Sequence, residues 1–177
     1  WPKKAYSKVG ELNGKTLGLF GLGNIGRETA KRALGLGMRV IACDPIVTQT
    51  DLDVTLMSTD DVLAQADFIS LHIPFIKEHG PTITAAEFAK MKDGVILINC
   101  ARGGVVVEKD LLDALNSGKV RAAGIDVFEN EPVTDAQTAL INHPNVSVTP
   151  HIGASTVEGQ GRVGIEIAER VIDALKS

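Results

Sequence analysis

A Rossmann-type doubly wound parallel α/β sheet is the fold this sequence predicts, on three observations. Short apolar runs alternate with segments of helical periodicity along the chain. The first run leads into the glycine-rich turn Gly21-Leu-Gly-Asn-Ile-Gly26, which opens a helical segment. A later run, Val95-Ile-Leu-Ile-Asn-Cys100, is apolar almost without a break, as a strand covered on both faces must be. Six strands in the order 3-2-1-4-5-6 are expected.

The elements follow in order. Residues 1–13 are polar and basic with few periodic apolar positions, so they read as a lead-in or hinge segment before the first strand, which starts after Lys15. Ile25, Thr29, Ala33 and Leu36 give the first helix its stripe, and Met38 to Cys43 is the second strand. Ser58 caps a short helix to Ala66, and Phe68 to His72 is the third strand. A loop from Ile73 to Ile83 carries Pro74, Gly80 and Pro81, and Thr84 with Glu87 forms a capping box for a helix through Met91. Val95 to Cys100 is the fourth strand. Lys109 to Asn116 is a helix stopped by Gly118, and Val120 to Val127 is the fifth strand. Val146 to Thr149 is the sixth, and Ser155 to Ser177 is a long helix with Val163, Ile167, Val171 and Leu175 every fourth residue.

The glycine turn is the candidate binding element. Gly21 suits a tight turn, Gly23 lets backbone approach a pyrophosphate, and Gly26 permits close packing of helix on strand. Asp44 ends the second strand at the spacing, about 20 residues past the turn, where a carboxylate accepts hydrogen bonds from an adenosine ribose. Pro45 and Ile46 follow it rather than a base, and a carboxylate repels a 2′-phosphate, so NAD is favoured over NADP. A flavin site, an adenosyl-methionine site and a structural turn share parts of this signature.

The 177 residues are 44% hydrophobic, enough for one core of ordinary domain size. A net charge of −4 with scattered basic residues argues against nucleic-acid and anionic-membrane partners, and no apolar run nears the roughly 18 residues that cross a bilayer. Cys43 and Cys100 fall two strands apart in the expected order, near 10 Å at about 4.8 Å per strand spacing, too far for a disulfide. A reduced, cytoplasmic chain follows. No grouping has metal-ligand spacing, so no metal is expected, and no nucleophile motif is present.

Ligands of such sheets bind outside the carboxyl ends of the strands. Three consecutive ends carry Arg102, Glu131 and His151: a guanidinium to hold a carboxylate or polarise a carbonyl, a carboxylate to orient an imidazole, and the imidazole to pass a proton. Each has a plainer alternative, with Arg102 bridging to Glu108, Glu131 a solvated loop acid beside Pro132, and His151 a loop residue fixed by Pro150. His72, His79 and His143 are weaker candidates, the first bonding backbone at a strand end and the others solvated.

Taken together, Gly-Leu-Gly-Asn-Ile-Gly, Asn99-Cys-Ala-Arg-Gly-Gly104, Asp126-Val-Phe-x-x-Glu-Pro132 and Pro150-His-Ile-Gly-Ala154 resemble the nucleotide-binding domain of the D-2-hydroxyacid dehydrogenase family over nearly the whole chain. Within it, the forms His-Ile-Gly-Ala-Ser-Thr and Asn-Cys-Ala-Arg-Gly-Gly resemble the phosphoglycerate dehydrogenases. The resemblance implies NAD-dependent hydride transfer at C2 of a small D-2-hydroxy or 2-oxo acid, with 3-phosphoglycerate the first substrate and glyoxylate or hydroxypyruvate the alternatives. A non-catalytic NAD-sensing dimer module is the rival from another class. Arg102 would bind the substrate carboxylate and carbonyl, His151 would donate and accept the proton, and Glu131 would be its partner. Asn24 and Ile25 would meet the pyrophosphate through their amides. Ile73, Pro74, Cys100 and Ala101 would line the cofactor groove, Asp126 would reach the carboxamide, and Gly153 and Ala154 would lie beside the nicotinamide. One departure is Val107 before Glu108, where many relatives carry an acid. The resemblance further implies a homodimer formed through this domain. It also implies a separate substrate domain beyond these residues, so that the chain reads as a domain excised from a two-domain enzyme.

Overall fold

The computed structural model describes residues 10–176. Most of the expected lead-in segment lies outside the described residues, and residues 10–13 are exposed. Seven parallel strands form one sheet: β1 (Thr16–Phe20), β2 (Arg39–Cys43), β3 (Val54–Leu56), β4 (Phe68–Leu71), β5 (Val95–Asn99), β6 (Val120–Ile125) and β7 (Val146–Val148). Their order is β3-β2-β1-β4-β5-β6-β7.

The Rossmann-type architecture is as expected, with one more strand than the sequence indicated. Val54-Thr-Leu56 pairs with β2 and takes the edge that the order 3-2-1-4-5-6 gave to Phe68 to His72. That segment, as β4, pairs instead with the other side of β1. Two strands, β1 and β4, therefore separate Cys43 from Cys100, and both thiols are free. Three residues of which only Val54 is buried leave no apolar run to find.

Alternation along the strands sorts the core into two layers. Leu17 and Leu19 of β1 with Val40 and Ala42 of β2 meet Ala30 and Ala33 of α1 (Asn24–Gly35) on one face. On the other, Phe20, Ile41, Ile69 and Leu97 pack with Val62 and Leu63 of α2 (Thr59–Gln65), Phe88 of α3 (Ala85–Lys90) and Leu111 of α4 (Glu108–Asn116). The caps form as expected: Ser58 accepts the Asp61 amide, and Thr84 and Glu87 make a reciprocal box.

The expected stripe of α1 holds at Ala33 and fails at Ile25 and Leu36. Gly26, Ala30 and Ala33 are its buried positions, while Ile25 is 72% and Leu36 57% exposed. The cause is close approach: a side chain on Gly26 would collide with the Gly21 carbonyl, so the inward face admits only small residues. Between β6 and β7 run a 3-10 turn (Asp135–Gln137) and the single-turn α5 (Thr138–Ile141). The long helix, α6 (Val157–Lys176), forms as expected, but it buries no residue and its apolar stripe faces outward.

Candidate active site

Two of the clefts along the carboxyl edge of the sheet gather the expected site residues, and a third of about 370 Å³ adjoins them beside Pro132, Val133 and Thr149. The first, about 650 Å³, lies over β1 and β2 and is lined by Gly21, Gly23, Asp44, Ile46, Ile73 and Pro74 among others. Gly21 turns with φ +92, a conformation for which glycine is suited, and any Cβ there would strike the His72 carbonyl. Gly23 differs from both its partners. Its φ is an ordinary −71, and a Cβ built on it meets no atom within 4 Å. No neighbouring atom of the described residues requires glycine there, which leaves open space beside the turn.

That space lies at the N-terminus of α1, where no side chain caps the helix and Asn24 and Ile25 are exposed. Uncapped amides and the positive end of the helix dipole suit a phosphate. Asp44 accepts from the amides of Leu22 (2.8 Å), Ile46 (2.8 Å) and Val47 (3.0 Å). Burial pushes its carboxyl up, but the three amides outweigh this and hold it below the ordinary carboxylate range. Ionised at neutral pH, it suits ribose hydroxyls and repels a phosphate. A dinucleotide therefore fits the residues present.

The second cleft, about 560 Å³, gathers all three strand-end residues: Arg102, Glu131 and His151, with Phe75, Phe128 and Glu129. His151 Nδ1 lies 2.6 Å from Glu131 Oε2, and Glu131 Oε1 accepts the Phe128 amide at 2.9 Å. Glu131 therefore does not stand free in solvent. The imidazole bond first and the Phe128 amide second hold its carboxyl below the ordinary range. An ionised carboxylate only accepts, so the proton of this pair sits on Nδ1 and neutral His151 keeps its Nε2 lone pair. Arg102 Nη1 donates to the Ala101 carbonyl at 2.6 Å and not to Glu108, whose carboxylate accepts the Glu129 amide while its own amide donates to the Glu129 carboxylate.

Other expected residues are placed less decisively. Cys100 and Ala101 lie on the turn after β5, where the Ala101 amide donates to Asn99 Oδ1 at 3.1 Å. Burial pushes the Cys43 thiol up to about 11, and burial with nearby Asp126 raises that of Cys100, so neither is a ready thiolate. Gly153 and Ala154 are exposed just past His151. Asp126 is 3% exposed, and its carboxylate holds the loop that carries His151.

Sequence reasoning missed that loop clamp, since no motif links Asp126 to Thr149. It also underrated His72, which lines the first cleft and pairs through Nε2 with Ser70 Oγ at 3.0 Å. Its place at a strand end was the available signal. Burial lowers its pKa, which keeps it neutral. His143 does not stand free either, since its Nδ1 accepts the Asn145 amide at 3.2 Å. Among the described residues no cluster is able to hold a metal ion, and no helix is long and apolar enough to cross a membrane.

The family described as D-isomer specific 2-hydroxyacid dehydrogenase, NAD binding domain, matches residues 1–153. The chain belongs to that family. The hydroxypyruvate reductase of Thermotoga maritima is 53% identical over 176 residues, 99% of this chain and 57% of its own. The D-3-phosphoglycerate dehydrogenase of Mycobacterium leprae is 49% identical over 178 residues, 99% of this chain and 33% of its own. The crystal structure of D-lactate dehydrogenase from Aquifex aeolicus, complexed with NAD and lactic acid, superposes with a TM-score of 0.85 at 35% identity, covering 98% of this chain and 59% of that one. Thus this 2-hydroxyacid dehydrogenase domain spans between a third and three fifths of the length of these relatives, and its cofactor is NAD.

Proposed function

We propose that this domain is the cofactor-binding part of an oxidoreductase that moves a hydride between nicotinamide and C2 of a small D-2-hydroxy or 2-oxo acid. The convergence of Arg102, Glu131 and His151 on one cleft carries the reading. The nicotinamide, when bound, supplies or takes the hydride. Neutral His151 accepts the hydroxyl proton at Nε2 during oxidation, and the imidazolium returns it during reduction. Glu131 holds the ring and stabilises its charge, while Arg102 holds the substrate carboxylate and polarises the carbonyl. Gly21, Gly23, Asn24, Ile25 and Asp44 hold the pyrophosphate and ribose. Ile73, Pro74, Cys100 and Ala101 line the groove, and Asp126, Gly153 and Ala154 border its nicotinamide end.

For the substrate, the motif forms favour 3-phosphoglycerate, oxidised to 3-phosphooxypyruvate as the first step of serine biosynthesis. Hydroxypyruvate is the second reading, favoured by the Thermotoga maritima relative at 53% identity. We place the reaction in the cytoplasm, in a homodimer formed through this domain. Orientation of the acid and exclusion of water fall to a substrate domain outside these residues, so the domain alone binds NADH but turns over weakly. The test compares this chain with a two-domain parent for NADH affinity by fluorescence and for turnover of 3-phosphoglycerate, hydroxypyruvate and glyoxylate. Similar affinity with turnover lower by orders of magnitude in the short chain is expected. Failure of either protein to bind NADH at millimolar concentration refutes the reading.

A further inference from the structure

The loop that presents His151 is held by an arrangement that the proton-transfer role does not by itself require. After β7 the chain turns sharply, and His151 adopts φ +56, a left-handed conformation unusual for a residue with a side chain. Something must hold it there. Pro150 restricts the backbone on one side only.

The holding group is the carboxylate of Asp126, just past the end of β6. Its Oδ1 accepts the hydroxyl of Thr149 and the amide of Ile152 (2.9 Å), and its Oδ2 accepts the amide of Gly153 (2.9 Å). Residues on both sides of His151 thus hang on one buried carboxylate. Asp126 is in turn fixed through its own amide to the Asn99 carbonyl at 3.0 Å. Thr149 contributes twice, and its two contributions are separable. Its amide extends the strand ladder by donating to the Ile125 carbonyl at 3.0 Å, so the main chain is placed without the side chain. Its hydroxyl is spent wholly on aiming Asp126. From the other side, Glu131 anchors the imidazole at 2.6 Å.

We propose that Thr149 is a positioning residue for His151: by orienting the Asp126 carboxylate, its hydroxyl sets the left-handed loop and thereby the register in which the imidazole meets Glu131. The proposal rests on the reading of His151 as the proton-passing group, but it concerns the geometry of the free protein. Thr149 touches neither substrate nor cofactor in this assignment. Loss of its hydroxyl lets the carboxylate rotate, relaxes the turn, and frees the ring to sample both tautomers.

The test is nitrogen-15 and proton NMR of the His151 ring in this 177-residue chain, comparing the parent sequence with Thr149→Val, Thr149→Ala and Thr149→Ser. Valine keeps the shape and removes the hydroxyl, alanine removes it with less bulk, and serine retains it. The parent and the serine variant are expected to show one neutral tautomer with an exchange-protected, downfield Nδ1 proton. The valine and alanine variants are expected to lose that proton signal and show mixed tautomers. In a two-domain parent, kcat is expected to fall about tenfold. A parental ring signature in either folded hydroxyl-free variant overturns the proposal, and so does loss of the signature in Thr149→Ser. The function itself fails separately: if His151→Ala leaves turnover intact, the proton-passing role is wrong whatever the ring signature shows.

Discussion

Along the carboxyl edge of the sheet, the cleft over β1 and β2 is built around a backbone turn and apolar side chains such as Ile46, Met57 and Ile73, whereas the one past β5, β6 and β7 is lined by charged side chains on exposed loops. In the first, Gly21 and Gly26 lock turn to helix and three amides fix Asp44. In the second, Arg102, Glu131 and His151 are all exposed and are held by a few side-chain bonds. A turn fixed by backbone gives a rigid receptor for an invariant ligand, the dinucleotide. Loop side chains give adjustable chemistry, which suits the part of the molecule that differs between substrates.

Mutations separate the two plans. The largest effect is expected at the second cleft, where His151→Ala in a two-domain parent should lower turnover roughly a hundred- to ten-thousand-fold by steady-state assay, with NADH affinity unchanged. An equal loss of NADH binding breaks the division between the clefts. Next come the two glycines of the first cleft. Gly26→Ala forces α1 away from Gly21 and is expected to cost about 1–3 kcal/mol of stability along with most NADH binding. Gly23→Ala enters open space, so its melting temperature should match the parent while NADH affinity falls about tenfold, near 1.4 kcal/mol. Calorimetric melts and fluorescence titrations decide both, and an unchanged affinity for Gly23→Ala removes the pyrophosphate from that spot.

The smallest effect concerns acid. Burial raises the Asp126 carboxyl, but the Thr149 hydroxyl and the Ile152 and Gly153 amides outweigh it and leave the group below its ordinary value. A pKa lower in the folded than in the unfolded chain contributes stability above the unfolded value of about 3.9, and that contribution is lost as pH falls through the native one. The melting temperature should therefore fall by a few degrees on acidification through that range, and Asp126→Asn should flatten this part of the profile. A slope identical to the parent's assigns the acid sensitivity to other carboxylates, Asp44 among them.

The cores of the longer strands were readable because a strand buried on both faces leaves a run of apolar residues, as in Val95 to Asn99. β3 was not readable, since an edge strand of three residues flanked by aspartates carries no such run, and missing it moved Phe68 to Leu71 to the wrong side of β1. The three strand-end residues were readable because topology brings consecutive strand ends together whatever the loops do. The Thr149 to Asp126 clamp was not, because a side-chain hydrogen bond across 23 residues leaves no periodicity. The buried face of α1 was misread at Ile25 and Leu36 for a related reason: what decides that face is how closely its backbone approaches Gly21, and apolar spacing does not report that.

The bond from the Leu22 amide to Asp44 has a consequence for redesign. The same carboxylate proposed to meet the ribose also braces the glycine turn, and Leu22 itself is buried at 1% exposure. Exchanging Asp44 for a basic residue to admit a 2′-phosphate would remove the repulsion and, in the same step, leave a buried donor without its acceptor. On the proposed assignment, preference for the unphosphorylated cofactor is tied to the integrity of the turn. A change of preference is better sought at Ile46, which lines the same cleft and is 86% exposed. A cation introduced there could meet the extra phosphate while Asp44 goes on holding the turn closed.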